Sequence, residues 1–281
     1  MKTITFEEFN NILQQHYHWL DDRRNGKCAD LSDIDFTKSI ASDERFYNSL
    51  SLSRLDYANL TNSNFEGVEF KATGKPNKKI SFRHCDMKGT IFKNAKLSNI
   101  DFSHAHLDHS DFSFAKISNC EFCFIVCGNV KFTNCEFINN RNTSKTNGFY
   151  HAELVLVDFS MSEFDWVNFR NCTMNGVSFD RSNMNRMIFK NSTIFASHMI
   201  GANITQSTFE GATIIGTSCS GSNLKGSDMS LSRIEKCNFS NSKFNKVQFG
   251  FTMIKDSNTE GTGLIKINDD SDTDIGIIWI S

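Results

Sequence analysis

From Leu154 to Ile254 an apolar residue or a cysteine recurs at every fifth position, a period that fits neither an α-helix nor a flat strand. The series opens Leu154, Phe159, Phe164, Phe169 and closes Phe239, Phe244, Phe249, Ile254. Two positions before each stands a second restricted residue, usually Ala, Ser, Cys, Thr or Val, as in Ala152, Val157, Ser162, Val167 and Cys172. Residues two apart on an extended segment point the same way, so both face inward and the residue between them faces out. The remaining two residues must turn the chain. Five residues therefore make one short strand and one corner, and repetition winds a solenoid around a thin core.

Composition agrees with a narrow tube. Only 39% of the 281 residues are hydrophobic, yet 27 are Phe, as expected where few inward positions must each fill much space. The single proline, Pro76, sits where the register breaks; elsewhere the coil-to-coil hydrogen bonds need the N–H that proline lacks.

The pattern is plainest in Cys28-Ala29-Asp30-Leu31-Ser32, Tyr57-Ala58-Asn59-Leu60-Thr61 and Gly201-Ala202-Asn203-Ile204-Thr205, and it resembles the pentapeptide-repeat family. The resemblance covers four runs: Leu31 and Phe36, Leu50 to Phe70, Phe82 to Phe137, and Leu154 to Ile254. It implies an all-β fold, a right-handed quadrilateral parallel β-helix with four repeats, or twenty residues, per coil. Residues twenty apart are then stacked on one wall, and they are sorted by type. Phe82, Phe102 and Phe122 fall in one column and Phe92, Phe112 and Phe132 in another, whereas Leu154, Met174, Ile194, Ile214, Ile234 and Ile254 form a column with no aromatic.

The expected organisation is a capping α-helix and leader over 1–28, the β-helix over 29–260 with register breaks at 37–49, 71–79 and 138–151, and a terminal tail over 261–281. Thr5-Phe6-Glu7-Glu8 fits a capping box, and Phe9, Ile12, Leu13, His16, Tyr17 and Leu20 follow at helical spacing. A solenoid's first coil would otherwise expose an apolar end and unpaired strand edges. Ile275 to Ile280 is too short to span a bilayer and is expected to cover the last coil or to join two chains, giving a homodimer through a terminus. No signal peptide or membrane-spanning segment is read in the sequence.

Each break calls for a bulge or loop, and loops on a rigid scaffold often carry binding. The second break holds Lys71, Lys75, Lys78 and Lys79 and the third holds Arg141 and Lys145; these are candidate partner-binding residues. Asp30, Asp33, Asp35, Asp43 and Glu44 form a candidate acidic surface near the start of the chain.

Two clusters invite a metal. Cys120-x-x-Cys123 with Cys127 and Cys135 has the residue types for zinc, but the register turns Cys120, Cys127 and Cys135 inward and Cys123 outward at a corner, so they do not converge. His84 and His104, twenty residues apart, should stack on adjacent coils, with His106 and His109 nearby. No phosphate-binding glycine loop, nucleophile elbow or His-Glu-x-x-His appears. No cofactor and no metal are expected, and the reading is non-enzymatic: a rigid protein-binding scaffold or adaptor with an unidentified partner, no direct nucleic-acid contact and no membrane. The alternative, drawn from one branch of the family, is a DNA mimic that inhibits or protects DNA gyrase or topoisomerase IV. A DNA mimic needs a sustained acidic stripe, and the net charge here is only −2. A third reading is an effector secreted into a host cell. Nine cysteines, an odd count, with no secretion signal suggest a reducing compartment, the bacterial cytoplasm.

Overall fold

A five-residue repeat leaves no room for hydrogen bonds within its own strand, so, apart from the turn bonds at its corners, its backbone groups must find partners in the neighbouring coils. In the computed structural model, which describes residues 1–71, 79–138, 148–264 and 277–280, this is what happens. Phe102 N–H donates to the Glu121 carbonyl at 2.7 Å, Phe122 to Gly148 at 2.7 Å and Phe189 to Thr208 at 2.7 Å. The result is a four-walled parallel β-solenoid. Its register is fixed by pairs such as Thr173↔Thr193↔Thr213.

The walls are named here in the order the chain visits them. Wall A stacks Leu55, Phe82, Phe102, Phe122, Phe149 and Phe169; wall B stacks Leu60, Met87, Leu107, Cys127, Leu154 and Met174; wall C stacks Phe65, Phe92, Phe112, Phe132, Phe159 and Phe179; wall D stacks Phe70, Leu97, Ile117, Phe137, Phe164 and Met184. Wall B forms an eight-stranded parallel sheet from Val126–Gly128 to Ile277–Ile280, and wall D a six-stranded one from Glu69–Lys71 to Asn183–Asn185.

The interior is a phenylalanine lattice. Within wall A, Phe102 and Phe122 stack at 4.9 Å, and within wall C, Phe92 and Phe112 stack at 4.7 Å. Across the tube the columns meet edge to face, with Phe102 and Phe112 at 6.0 Å and 87°. Both geometries suit the ring quadrupole, and such pairs are worth about 0.5–1.5 kcal/mol beyond area burial. The smaller inward positions often hold Ser, Thr or Cys, whose hydroxyl or thiol can reach a backbone carbonyl: Thr90 donates to Leu60 O of the preceding coil at 2.9 Å, Ser227 to Ile204 O at 2.7 Å and Cys85 to Leu55 O at 2.8 Å, whereas Ser182 and Ser192 donate within their own turn to Phe179 O and Phe189 O. The polar atoms of these residues are thereby satisfied.

The first coil is capped by helix α1, Phe6–Asp21, with the Thr5/Glu8 capping box formed. Phe9 and Leu13 are buried, and the Phe9 ring lies 5.2 Å from Phe46 and 5.9 Å from Phe36. Gly26 (φ +80°) folds the chain back under the helix, where a Cβ would fall 2.2 Å from the Gln15 carbonyl oxygen. His16 latches cap to solenoid: its Nδ1 accepts the Ala29 N–H at 3.1 Å.

Two sequence expectations are corrected. The break at 37–49 is not a loop or bulge but two helices, α2 (Phe36–Ser42) and α3 (Arg45–Leu52), which stand where wall D would run between the wall-C position Phe36 and the wall-A centre Leu55. Leu50 therefore lies in a helix and not in the repeat, although it is buried as expected. Asp35 starts α2 by accepting the Lys38 N–H at 3.3 Å. The third break is shorter than 138–151: the solenoid resumes at Gly148, and Phe149, buried and stacked 4.8 Å from Phe169, is a wall-A centre.

Two outcomes are expected. Phe189→Ala should cost about 3–5 kcal/mol in denaturant unfolding, and Phe189→Asp should abolish cooperative melting, because an unpaired charge would enter the tube; cooperative melting of the Asp variant would contradict the register. Burial holds the His16 imidazole below its ordinary pKa, so its stabilising contribution is present above the unfolded-state pKa of about 6.5 and lost as pH falls through the folded-state value. Unfolding curves between pH 8 and pH 5 should show His16→Gln, whose amide oxygen can still accept from Ala29, to be less acid-sensitive than the wild type.

Candidate functional site

Each wall turns at a residue two positions past its centre, and that residue is left-handed. Asn94 (φ 58°) and Asn134 (φ 56°) serve at the corner that joins walls C and D, as local propensity favours. At the corner between walls A and B the choice differs: Tyr57, His84, His104, Phe124 and His151 occupy successive coils at φ between 56° and 69°. An L side chain there costs about 1–2 kcal/mol. The rings offset this by stacking: Tyr57 on His84 at 4.7 Å, His84 on His104 at 4.6 Å, His104 on Phe124 at 5.1 Å and Phe124 on His151 at 5.2 Å, none tilted by more than 8°. The ladder is closed below by Arg23, whose guanidinium lies 4.8 Å over Tyr57, and above by Asn171, 3.1 Å from His151 Nε2. Its rims face water, with Tyr57 41% and Phe124 44% exposed.

The twenty-residue spacing of His84 and His104 predicts their stack; its continuation through Tyr57, Phe124 and His151 is not read from the sequence. His106 and His109 lie outside the stack, on wall B and on the corner beyond it.

The two long breaks converge on the other border of wall A. Phe70 to Phe82 and Phe137 to Phe149 each span twelve residues, and both insertions leave the corner between walls D and A. They are three coils apart on wall D, through Phe70↔Leu97↔Ile117↔Phe137, which at strand spacing is ~14 Å. Lys75, Lys78, Arg141 and Lys145 lie outside the described residues. Lys71 ends the strand Glu69–Lys71, and Lys79 bonds Glu121 at 2.6 Å.

Between these borders the wall is polar and internally paired. Asp101 and Glu121 stand on adjacent coils; Arg83 reaches Asp101 at 3.1 Å and Lys79 reaches Glu121. Cys123, expected to point outward, is 4% exposed, because Gly148 and Tyr150 of the next coil overhang it; burial pushes its thiol up to about 12. Cys120 and Cys135 are likewise pushed up to about 12 by burial, so these sulfurs stay protonated and unreactive at neutral pH.

The candidate acidic surface is not continuous. Asp30 accepts from Ser32 Oγ and Asn59 Nδ2, and Asp33 accepts from Asn62 Nδ2. Asp35, expected on the surface, is 6% exposed because it caps α2 and pairs with Lys38 at 3.2 Å. Asp43 is bridged by Arg45 at 2.6 Å, and the same guanidinium holds Glu7 of α1 at 2.8 Å; the Arg45 bonds depress the Asp43 carboxyl. Glu44 precedes α3 without capping it through its side chain. No outward column of described residues carries acids on more than two successive coils. Among the described residues no helix is long and apolar enough to cross a membrane.

The ladder makes a direct prediction. Two imidazoles face to face at 4.6 Å repel when both are charged, by several kcal/mol at an effective dielectric of about 20. Burial first, and His104 second, hold His84 below the ordinary histidine pKa. An NMR titration should therefore show His84 protonating below about pH 6.5, and His104→Asn should move that midpoint upward; an unmoved midpoint would contradict the stack.

A family model described as pentapeptide repeats matches this chain in eight copies over residues 85–122 and 196–230. Similar solved structures include HetL, a pentapeptide repeat protein involved in heterocyst differentiation regulation in the cyanobacterium Nostoc, at 11% identity over 81% of this chain and 90% of that one, TM-score 0.39. Another is a thylakoid-lumen pentapeptide repeat protein of Arabidopsis thaliana, at 27% identity over 34% of this chain and 66% of that one, TM-score 0.31. A third is QnrB1, a plasmid-mediated fluoroquinolone resistance protein, at 14% identity over 90% of this chain and 91% of that one, TM-score 0.30. A comparison with curated proteins finds no match.

Proposed function

The chain belongs to the pentapeptide-repeat family, and on that premise we propose that it works without catalysis, as a rigid scaffold that binds a protein partner in the bacterial cytoplasm. The observation that carries this reading is the layout of wall A between Leu55 and Phe149. An exposed aromatic ladder borders it on one side, and both loop insertions leave its other side. Aromatic rims supply rigid contact at little entropic cost, and paired charges supply orientation. Lys71, Lys75, Lys78, Lys79, Arg141 and Lys145 are the basic residues at or beside those insertions, and they are assigned to the partner contact. Asp30 and Asp33, on wall B and the corner after it, would border that contact.

Imitation of duplex DNA, the alternative, requires acids in phosphate-like succession. The acids of wall A are instead held by Arg83 and Lys79, which favours the scaffold. At the far end, Ile277–Ile280 pairs with Thr252–Lys255 and is the last strand of the wall-B sheet; its outer edge fits an end-to-end contact between two chains.

The test is affinity capture run in parallel with wild type and a His104→Asn/Phe124→Asn variant. Asn already serves at equivalent corners, so the fold should be kept. A protein captured by wild type and lost with the variant is the expected outcome; a partner captured equally by both would remove the ladder from the binding surface.

A further inference from the structure

Wall B carries a pattern that the docking surface on wall A does not use. One outward column of its sheet runs Glu153, Thr173, Thr193, Thr213, Arg233 on successive coils, in register. It is a charge palindrome: an acid and a base stand equally far from Thr193, with uncharged hydroxyls between. The parallel column on the same strands runs Val155, Asn175, Phe195, Ile215, Glu235. Phe195 is 49% exposed and Val155 42%, and the adjoining corner adds Leu156 at 58%. Glu235 is already held by Arg233 at 2.7 Å, and Lys236 follows it at the corner. The lower end of the strip is thus net negative and the upper end net positive. Between them, the outward wall-B residues Thr173, Asn175, Thr193, Phe195, Thr213 and Ile215 carry no charge.

We propose that a second copy of this chain docks here, wall B against wall B, with the two rods antiparallel. A two-fold axis lying along the Thr193–Phe195 strand reverses the rod direction while keeping each column opposite itself, as an isologous contact demands. Thr193 then faces Thr193 of the partner subunit, and Phe195 packs on its own copy. Glu153 meets the other chain's base at position 233, twice over. A parallel two-fold would exchange the two columns and set Glu153 against Val155 of the partner subunit, with no base at its coil level, so the pairing of Glu153 selects the antiparallel arrangement. The strip is one strand wide and four coil spacings long, ~19 Å by ~10 Å, small beside the interfaces of permanent dimers. The dimer is accordingly weak and set by concentration. It is separate from the end-to-end contact through Ile277–Ile280 and from the partner surface on wall A.

Sedimentation velocity from about 10 µM to about 1 mM, the range a small interface implies, tests this. A monomer–dimer equilibrium is expected, and the variant lacking residues 265–281 should keep it. Phe195→Asp should abolish it while melting like the wild type, since the side chain points out. Glu153→Arg and Arg233→Glu should each weaken it at least fivefold, and the double exchange should restore it. Register is read by oxidation: Thr193→Cys should form a disulfide-linked dimer, whereas Thr173→Cys should link only when mixed with Thr213→Cys. A monomer at about 1 mM, a dimer indifferent to Phe195→Asp, a dimer lost only on removing 265–281, or no rescue by the double exchange would each overturn the proposal.

Discussion

Hydrogen bonding between successive coils is the constraint on which everything else rests. Because each strand is only a few residues long, no wall is stable alone; a residue's neighbours are those one coil before and one coil after. Like is therefore set on like. A Phe column grows because each ring lies at a stacking distance from the next, and the opposite column meets it edge to face. Any residue chosen once is cheaper to choose again one coil later. The same logic explains small inward residues such as Thr90, Ser227 and Cys85, whose donors reach the carbonyls of the coil beneath.

The outer surface obeys this rule too, and function depends on which residues are repeated there. On the corner between walls A and B, aromatic and imidazole rings replace the Asn and Gly that would turn the chain most easily. The cost of left-handed backbone at bulky residues is comparable to the gain from stacking, so the ladder adds little to stability. What it adds is a fixed apolar ridge. At the opposite border of wall A both insertions interrupt the repeat, and on the wall Arg83 and Lys79 neutralise stacked acids. A rigid frame whose repeat is interrupted twice at one border of the same wall is suited to recognition by shape rather than by field.

Much of this is legible in the sequence. The five-residue period defines the strand-and-corner unit, and the sorting of Phe82, Phe102 and Phe122 sets the coil length. Other features are hidden for physical reasons. Leu50 keeps an apolar spacing because a buried helix face needs one as much as a wall does. Phe149 lies five residues before Leu154 and so continues the same series, but Asn147, two positions before it, is not one of the small residues that mark the repeat elsewhere. Asp35 looks like a surface acid but caps a helix, a role it acquires only because residues 36–42 coil into α2 instead of continuing the repeat. Cys123 is outward by register yet covered by the overhanging Tyr150 segment. The aromatic ladder is masked at both ends, since Tyr57 to His84 and Phe124 to His151 each cross an inserted loop and so depart from the twenty-residue spacing that exposes its middle.

On the proposed reading, a partner recognises this rod through a shaped, charge-paired wall, and the rod does not present the phosphate-like charge of a nucleic acid. The measurement that tests this most directly is a titration of the purified protein into a DNA gyrase supercoiling reaction, with and without a quinolone. The predicted result is no inhibition and no rescue from the drug at high micromolar protein. Inhibition or rescue at low micromolar protein or below would contradict it, and would mean that the acids of walls A and B act together as a field despite their partners.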